Sequence, residues 1–239
     1  GGFAMLGING TYLSMVPGGT VTLHGANTYT GPTTVFPGTL VVKKAAGLYN
    51  GDPAKWTPTN ITVHKAATLR LNAGGTGEFT GAQISALLAN LATGVSGNGL
   101  MAGSVLYMDT ANATEPVVLA GNIADSKGPG GGPFVFKSCG GGALQLSGKN
   151  TYTGQTIMQG GTLIVNSLNS VSKGKASSSL GAPSSLENGI IEFGGDSTLT
   201  YTGSGEVTDR IINLTGEKQS LTIDQAGSGL MKLTGPFDI

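Results

Sequence analysis

The chain has 239 residues, of which 42 are glycine and only 11 % are charged, and its 13 basic residues balance its 13 acidic ones. Without a basic excess to neutralise phosphates the composition argues against nucleic-acid binding, and no apolar run reaches the length of a transmembrane helix. A hydrophobic fraction of 38 % at this low charge density also excludes charge-driven disorder, which leaves an ordered, turn-rich and mostly β protein.

The first predicted elements belong to a block over residues 23–42, which reads LHGANTYTGPTTVFPGTLVV. Alternating side chains predict a short strand over residues 21–23, and two more strands follow over 33–36 and Thr39–Val42. Residues 27–31 between them are predicted as a turn–strand–turn unit. There the Asn side chain satisfies backbone groups at the bend and the Tyr covers one face.

The same cadence of short strands bounded by Gly, Asn, Asp or Thr continues along the chain. It predicts strands over residues 60–63, 68–71, 117–119, 189–193, 198–201, 211–214 and 221–223. Two Ser/Gly/Pro-rich segments, 124–133 and 167–185, are predicted to be loops that protrude from the strands.

One segment departs from this pattern. Ile84, Leu87, Leu88 and Leu91 follow one another at i, i+3, i+4 and i+7. This spacing is helical, and it predicts a short amphipathic helix over residues 82–91 that projects from the strands or lies along them.

A second block over residues 146–165, preceded by a predicted strand over 144–146, reads LSGKNTYTGQTIMQGGTLIV. It lies 123 positions after the first block and matches it at 12 of 20 positions, so the chain contains an internal repeat. The shared positions supply the candidate structural residues of the repeat motif: Gly25, Asn27, Thr28, Tyr29, Thr30, Gly31, Gly38, Gly148, Asn150, Thr151, Tyr152, Thr153, Gly154 and Gly161.

Strands this short, separated by single turns, fit the coils of a solenoid better than a β-sandwich. At about 20–25 residues a coil, the chain would form about ten coils stacked over about 50 Å. We therefore expect an all-β parallel solenoid with one short inserted α-helix near 82–91. We expect residues 1–239 to form a single solenoid segment, cut from a longer repeat array.

The two blocks closely resemble the autotransporter-associated β-strand repeat, also called the passenger-associated transport repeat. Its pattern is Leu-x-Gly-x-Asn-Thr-Tyr-Thr-Gly-x-Thr followed by Gly-Thr-Leu, and the blocks cover about 40 residues of the chain. The resemblance implies a right-handed parallel β-helix in a secreted or surface-exposed bacterial protein. It also implies that the repeat serves passenger export and folding and carries no catalytic residues. This sequence contains no membrane barrel, so export by the autotransporter route is not implied.

An enzyme remains an alternative, because parallel β-helices include polysaccharide lyases and hydrolases. Such sites need clustered carboxylates. Here the nearest acidic pairs are Glu192/Asp196 and Glu206/Asp209. Glu192 is predicted to face outward from its strand and Asp196 to lie in a turn, so we predict structural roles for both pairs and no catalytic residues.

The remaining reactive side chains are few. Cys139 is predicted to be a buried small residue, with a reactive thiol as the alternative. His24 and His64 have no second ligand at metal-binding spacing, so no metal or other cofactor is expected. Of the two arginines, Arg70 has no acidic neighbour in the sequence, and Arg210 beside Asp209 is predicted to form a surface charge pair.

These observations predict an extracellular structural module that extends the protein or assembles with itself as a stalk, passenger or filament subunit. Its expected partners are copies of itself or further repeats. An adhesin that binds glycan or a host surface through the protruding loops is the first alternative. Tyr29 and Tyr152 either stack on sugar rings or, the interpretation we favour, pack at a fixed position of the coil.

Overall fold

The computed structural model describes residues 2–5, 13–14, 18–93, 99–171, 177–216 and 219–238, the first two segments as backbone strands only. The chain forms a parallel β-helix, as predicted, because each strand pairs in parallel with strands of the preceding and following coils. Within the described residues the main sheet holds ten strands, one per coil, which agrees with the predicted ten coils. In order they are β1 (Gly2–Met5), β3 (Thr20–Leu23), β5 (Thr39–Val42), β7 (Thr68–Asn72), β9 (Val105–Asp109), β11 (Val135–Cys139), β13 (Thr156–Gln159), β15 (Ile191–Phe193), β18 (Ile212–Leu214) and β21 (Phe237–Asp238).

The other strands form three smaller parallel sheets. One sheet serves the first half of the solenoid, with the order β2 (Leu13–Ser14), β4 (Thr33–Val35), β6 (Ile61–Val63) and β8 (Gly99–Leu100). A five-stranded sheet serves the second half, with the order β10 (Val117–Leu119), β12 (Ala143–Leu146), β14 (Gly161–Val165), β16 (Ser197–Tyr201) and β19 (Leu221–Gln225). The last sheet pairs β17 (Glu206–Thr208) with β20 (Met231–Leu233).

The predicted helix is present as α1 (Gly81–Ala92), and it packs against β8 and β10, where the first small sheet gives way to the second. Thr80 caps it: the Thr80 hydroxyl accepts from the Gln83 amide, and the Gln83 side chain accepts from the Thr80 amide. The buried face of the helix consists of Ile84, Leu87, Leu88 and Leu91. The helix thus lies along the solenoid and closes its core.

The core is a stack of equivalent side chains. In the main sheet, inward rows align residue by residue across the coils. One row runs Leu40, Leu69, Leu106 and Phe136, all of them fully buried. Since alternate residues of each strand point to opposite faces, the residues between them form a second set of rows on the outer face.

Several local predictions are wrong. Residues 27–31 and 150–154 contain no strand between their turns, and residues 186–189 form a helical turn, α2 (Leu186–Gly189), ahead of β15. The strands additional to the predicted set are β1, β2, β8, β9, β17, β20 and β21. Coil length also varies more than expected: the pairing of Thr68 with Val105 encloses the longest coil, which contains α1.

The two segments predicted as protruding loops differ from that prediction in part. In segment 124–133, Ser126 is buried, donates to the Leu91 carbonyl at 2.9 Å and accepts from the Leu100 amide at 2.9 Å. In segment 167–185, Leu168 and Leu180 are fully buried, while residues 172–176 lie outside the described part of the chain. The described parts of both segments therefore contact the solenoid through these residues instead of protruding freely from it.

Candidate functional site

The asparagine of each repeat ties neighbouring coils together. Asn27 and Asn150 are completely buried, and their side-chain amides donate to the carbonyls of Gly47 at 2.7 Å and Ser179 at 2.6 Å. The Asn150 side-chain oxygen also accepts from the Ile123 amide at 2.8 Å. Ile123 and Ser179 belong to the coils on either side, so Asn150 links three coils through groups that would otherwise be buried without a partner.

The tyrosine of each repeat packs inside the coil. The hydroxyls of Tyr29 and Tyr152 lie 2.7 and 2.6 Å from the hydroxyls of Thr33 and Thr156, and both rings are buried. The Tyr152 ring lies 5.5 Å from the ring of Phe134. Both rings are packed inside the coil, so neither offers a face to a sugar.

Thr33 and Thr156 were not among the predicted motif residues, although each is the last threonine of the motif in its block. The recurrence of Tyr-x-x-x-Thr in both blocks was the available signal. Tyr49, which lies outside the motif, was also missed: its ring centroid lies 4.6 Å from that of Tyr29, and its hydroxyl donates to the Asn60 carbonyl at 2.8 Å.

The other motif residues lie at the coil surface or at close backbone approaches. Thr28, Thr30 and Thr151 are exposed, while Thr153 donates to Asp125 through its hydroxyl at 2.5 Å. The glycines fall into two groups. Gly25 and Gly31 are partly exposed. At Gly38, Gly148, Gly154 and Gly161 a Cβ atom would collide with the backbone of a neighbouring coil.

The acidic pairs hold loops in place. Glu206 accepts from the backbone amides of Leu168 at 2.6 Å and Asn169 at 2.8 Å, and Asp209 accepts from the Val171 amide at 2.6 Å. Both carboxylates of this pair are therefore bound to backbone amides of segment 167–185.

The two carboxylates of the other pair, Glu192 and Asp196, have different surroundings. Asp196 is exposed and accepts from the Ser220 amide at 2.8 Å, which lowers the pKa of its carboxyl. Glu192 lies between the buried Ile191 and Phe193 and faces outward, as predicted.

Arg210 corrects the prediction of a surface charge pair. Its side chain is only 3 % exposed, and it donates to the carbonyls of Leu168 at 2.8 Å and Leu180 at 2.9 Å. Burial lowers the pKa of this guanidinium. The irregular segment 167–185 leaves backbone carbonyls without sheet partners, and Arg210 supplies several donors for them at once.

The most unusual surface lies on the outer face of the main sheet. Arg70, Tyr107 and Lys137 occupy one row in direct register on β7, β9 and β11. The Arg70 guanidinium carbon lies 4.9 Å from the centroid of the Tyr107 ring, and the Lys137 ammonium nitrogen lies 5.4 Å from it. A groove of about 390 Å³ runs along this face, lined by Thr20, Thr39, Val41, Thr68, Arg70, Val105, Tyr107, Val135, Lys137 and Ile157. We call it the sheet groove.

Charged and partly buried side chains are bonded to one another beside this groove. Arg70 donates to Asp109 at 2.7 Å and to the Cys139 sulfur at 3.7 Å. Burial would raise the pKa of the Asp109 carboxyl, but the bond from Arg70 and its charge hold that pKa below its ordinary value. Burial raises the pKa of the Cys139 thiol. Cys139 is thus buried, as predicted, but beside charged groups.

Two polar atoms of this patch are buried without a hydrogen-bond partner among the described residues, namely Arg70 Nε and Asn72 Oδ1. Asn72 pairs in register with Asp109, so both atoms belong to the same part of the sheet. Unsatisfied polar groups are rare in folded proteins, and perturbed titratable groups concentrate at functional sites. The sequence could not reveal this cluster, since its members come from three coils of unequal length.

Among the described residues, no three His, Cys, Asp or Glu side chains converge in a way that could hold a metal ion. His24 is exposed, and the His64 ring stacks on Phe36 at 4.7 Å. In the part of the chain that the structure describes, no helix has the length and apolar character needed to cross a membrane.

Comparison with known proteins agrees with the repeat geometry. The family model of the passenger-associated-transport-repeat matches residues 18–42 and 140–165, which contain both motif blocks. The chain is also 31 % identical over 216 residues to the adhesin BmaC autotransporter of Brucella suis biovar 1 (strain 1330). That match covers 89 % of this chain and 6 % of the adhesin. No solved structure matches significantly.

Proposed function

We propose that this chain, which carries two passenger-associated transport repeats, is a non-catalytic module of a secreted or surface-exposed bacterial adhesin. The two repeats support this proposal most strongly, because both place the same Asn and the same Tyr–Thr pair inside a coil. The similarity to an autotransporter adhesin gives the surface context. In this role the solenoid extends the passenger away from the cell and holds its faces in a fixed order.

A structural role is favoured over catalysis by what the acids do. Glu206 and Asp209 accept from loop amides, and Asp196 accepts from Ser220. Carboxylates committed to backbone donors are poorly placed to act as a general acid or base on a polysaccharide. Incubation with uronate polysaccharides should accordingly give no new reducing ends and no unsaturated products.

Surface exposure can be tested at Gly141, an exposed turn residue with open space around its Cα. An epitope tag inserted there in the full-length protein should be labelled by antibody on intact bacteria. A tag that is detected only after the cells are lysed would contradict the proposal. A tag on a cytoplasmic protein of the same cells controls for lysis.

Coaxial self-assembly is the finer form of this proposal. The coil over residues 221–238 carries apolar side chains that are only partly covered: Leu230 is 80 % exposed and Phe237 is 48 % exposed. Unpaired strands with apolar side chains are templates for pairing with another coil. Either a second copy or further repeats of the same protein could stack there.

Adhesion is the second candidate, and the adhesin relative favours it. The predicted contact elements were segments 124–133 and 167–185. Both fold back onto the solenoid through Ser126 and Arg210, so they offer less surface than an extended loop would. A glycan array whose hits disappear when either segment is deleted would support loop-mediated binding.

A further inference from the structure

We propose that the sheet groove binds a linear acidic polysaccharide, with Lys137 and Arg70 contacting its anionic groups and the threonine hydroxyls of the groove contacting its sugar rings. This inference deepens the proposed adhesin function and rests on it. It differs from the loop hypothesis in placing the ligand on the outer face of the longest sheet.

The shape of the groove favours a linear ligand. Its lining residues come from six consecutive strands, β3 to β13, which at the usual spacing between strands make it about 24 Å long. A volume of about 390 Å³ is within the range of small-molecule sites but distributed along the solenoid axis. An extended chain of sugars fills such a groove better than one compact molecule.

The charges favour an anion. Arg70 and Lys137 flank the Tyr107 ring, and no carboxylate of the described residues lies within ion-pair distance of the Lys137 ammonium. Asp109 balances the charge of Arg70, to which it is bound at 2.7 Å, and the charge of Lys137 is left over. The row continues beyond Ile157 with Glu192, which bounds the positive stretch on that side.

The polar and apolar lining favours a sugar. One outer row contributes the hydroxyl groups of Thr20, Thr39 and Thr68, followed by the methyl groups of Val105 and Val135. Hydroxyl groups that can donate and accept, next to an aromatic ring and small apolar side chains, match the mixed surface of a pyranose.

An acidic peptide is the competing occupant, and the backbone argues against it. Peptides that bind sheets usually add a strand to a free edge. Every main-sheet strand from β3 to β13 is already paired on both sides, so the sheet groove offers side chains only. A peptide would bury its main-chain amides there without strand partners, whereas the hydroxyl groups of a sugar chain can pair with the threonine hydroxyls of the lining.

The test is a calorimetric titration of the purified chain with four probes: hyaluronan oligosaccharides, heparin oligosaccharides, neutral dextran oligosaccharides and poly-glutamate. Binding of either acidic glycan, with little binding of dextran or poly-glutamate, is the expected result. Hyaluronan carries carboxylates alone and heparin carries sulfates as well, so the two arms show whether sulfate is required. Affinity should fall as salt is raised.

Lys137→Gln is the decisive variant, because Lys137 makes no ion pair with any residue that the structure describes. We expect it to weaken acidic-glycan binding about tenfold or more, equivalent to about 1.4 kcal/mol. The matched control is Lys149→Gln, which removes the same charge from an exposed lysine outside the groove and should change affinity by less than about twofold. The double variant Arg70→Gln with Asp109→Asn removes the partly buried ion pair as a unit and should also weaken binding.

Three results would overturn the proposal: neither acidic glycan binds, poly-glutamate binds as well as the glycans, or Lys149→Gln weakens binding as much as Lys137→Gln does. Circular dichroism and the unfolding midpoint of each variant establish that the fold is intact. Labelling of the Gly141 tag on intact cells is an independent measurement, so a groove that fails to bind would reject this inference and leave the proposed surface function standing.

Discussion

At the scale of single residues, neighbouring positions of one motif have opposite roles. Asn150 is buried and bonded to two coils, whereas Thr151 beside it is exposed. Asn150→Ala leaves the Ser179 carbonyl and the Ile123 amide buried without partners and should lower the free energy of unfolding by about 3 kcal/mol. Thr151→Ala is the matched control and should change it by less than about 0.5 kcal/mol. Urea denaturation followed by circular dichroism measures both; equal losses would contradict the assigned roles.

Tyr152 makes stability depend on alkaline pH. Burial raises the pKa of its phenol to about 12, although the bond with Thr156 opposes the shift. The unfolded chain, with a tyrosine pKa of about 10, loses this proton first. The stabilisation from the neutral phenol is therefore complete below about pH 10 and is lost as the pH rises toward about 12. Urea midpoints measured across this interval should fall less steeply in Tyr152→Phe than in the unmodified chain, and parallel curves would contradict the prediction.

At the scale of elements, α1 contributes buried side chains to the core of the solenoid. Leu87 is fully buried beneath it, so Leu87→Ala should cost about 3 kcal/mol through lost contacts and an unfilled cavity. Leu186 is 61 % exposed, and the same substitution there should cost less than about 0.5 kcal/mol. If both variants unfold at the same urea concentration, α1 is not packed as described.

Some of these elements could be predicted from the sequence and others could not. The spacing of Ile84, Leu87 and Leu91 identified α1 to within a residue at each end, because a 3.6-residue period leaves few alternatives. The parallel solenoid followed from short strands and a repeated motif. By contrast, β9 reads VLYMD, and its outward Tyr107 obscured the alternation of Leu106 and Met108.

Register between coils was beyond sequence reasoning. The two motif blocks align with each other, but the coils between them differ in length because of α1 and the loops. The alignment of Arg70 with Tyr107 and Lys137 therefore could not be counted along the chain. Arg210 was misassigned for a related reason: its acceptors are carbonyls of a loop about 30 to 40 positions earlier in the sequence.

At the scale of the whole molecule, the coil over residues 221–238 governs self-association in our proposal. Leu230→Glu places a charge on its exposed apolar surface and should weaken association on the order of tenfold in sedimentation equilibrium. Val118→Glu makes a comparable change on an exposed strand in the middle of the solenoid and should have little effect. Monomers alone at high concentration of the unmodified chain, or equal effects of the two variants, would reject coaxial assembly.

The most direct test of the adhesin function is an in-frame deletion of residues 18–238 from the full-length protein in its own bacterium. A tag elsewhere in the passenger measures how much of the remaining protein reaches the surface. We predict that adherence to a glycan-coated surface falls while tag labelling on intact cells is retained. Unchanged adherence at equal surface display would contradict the proposal that this solenoid is a working module of a surface adhesin.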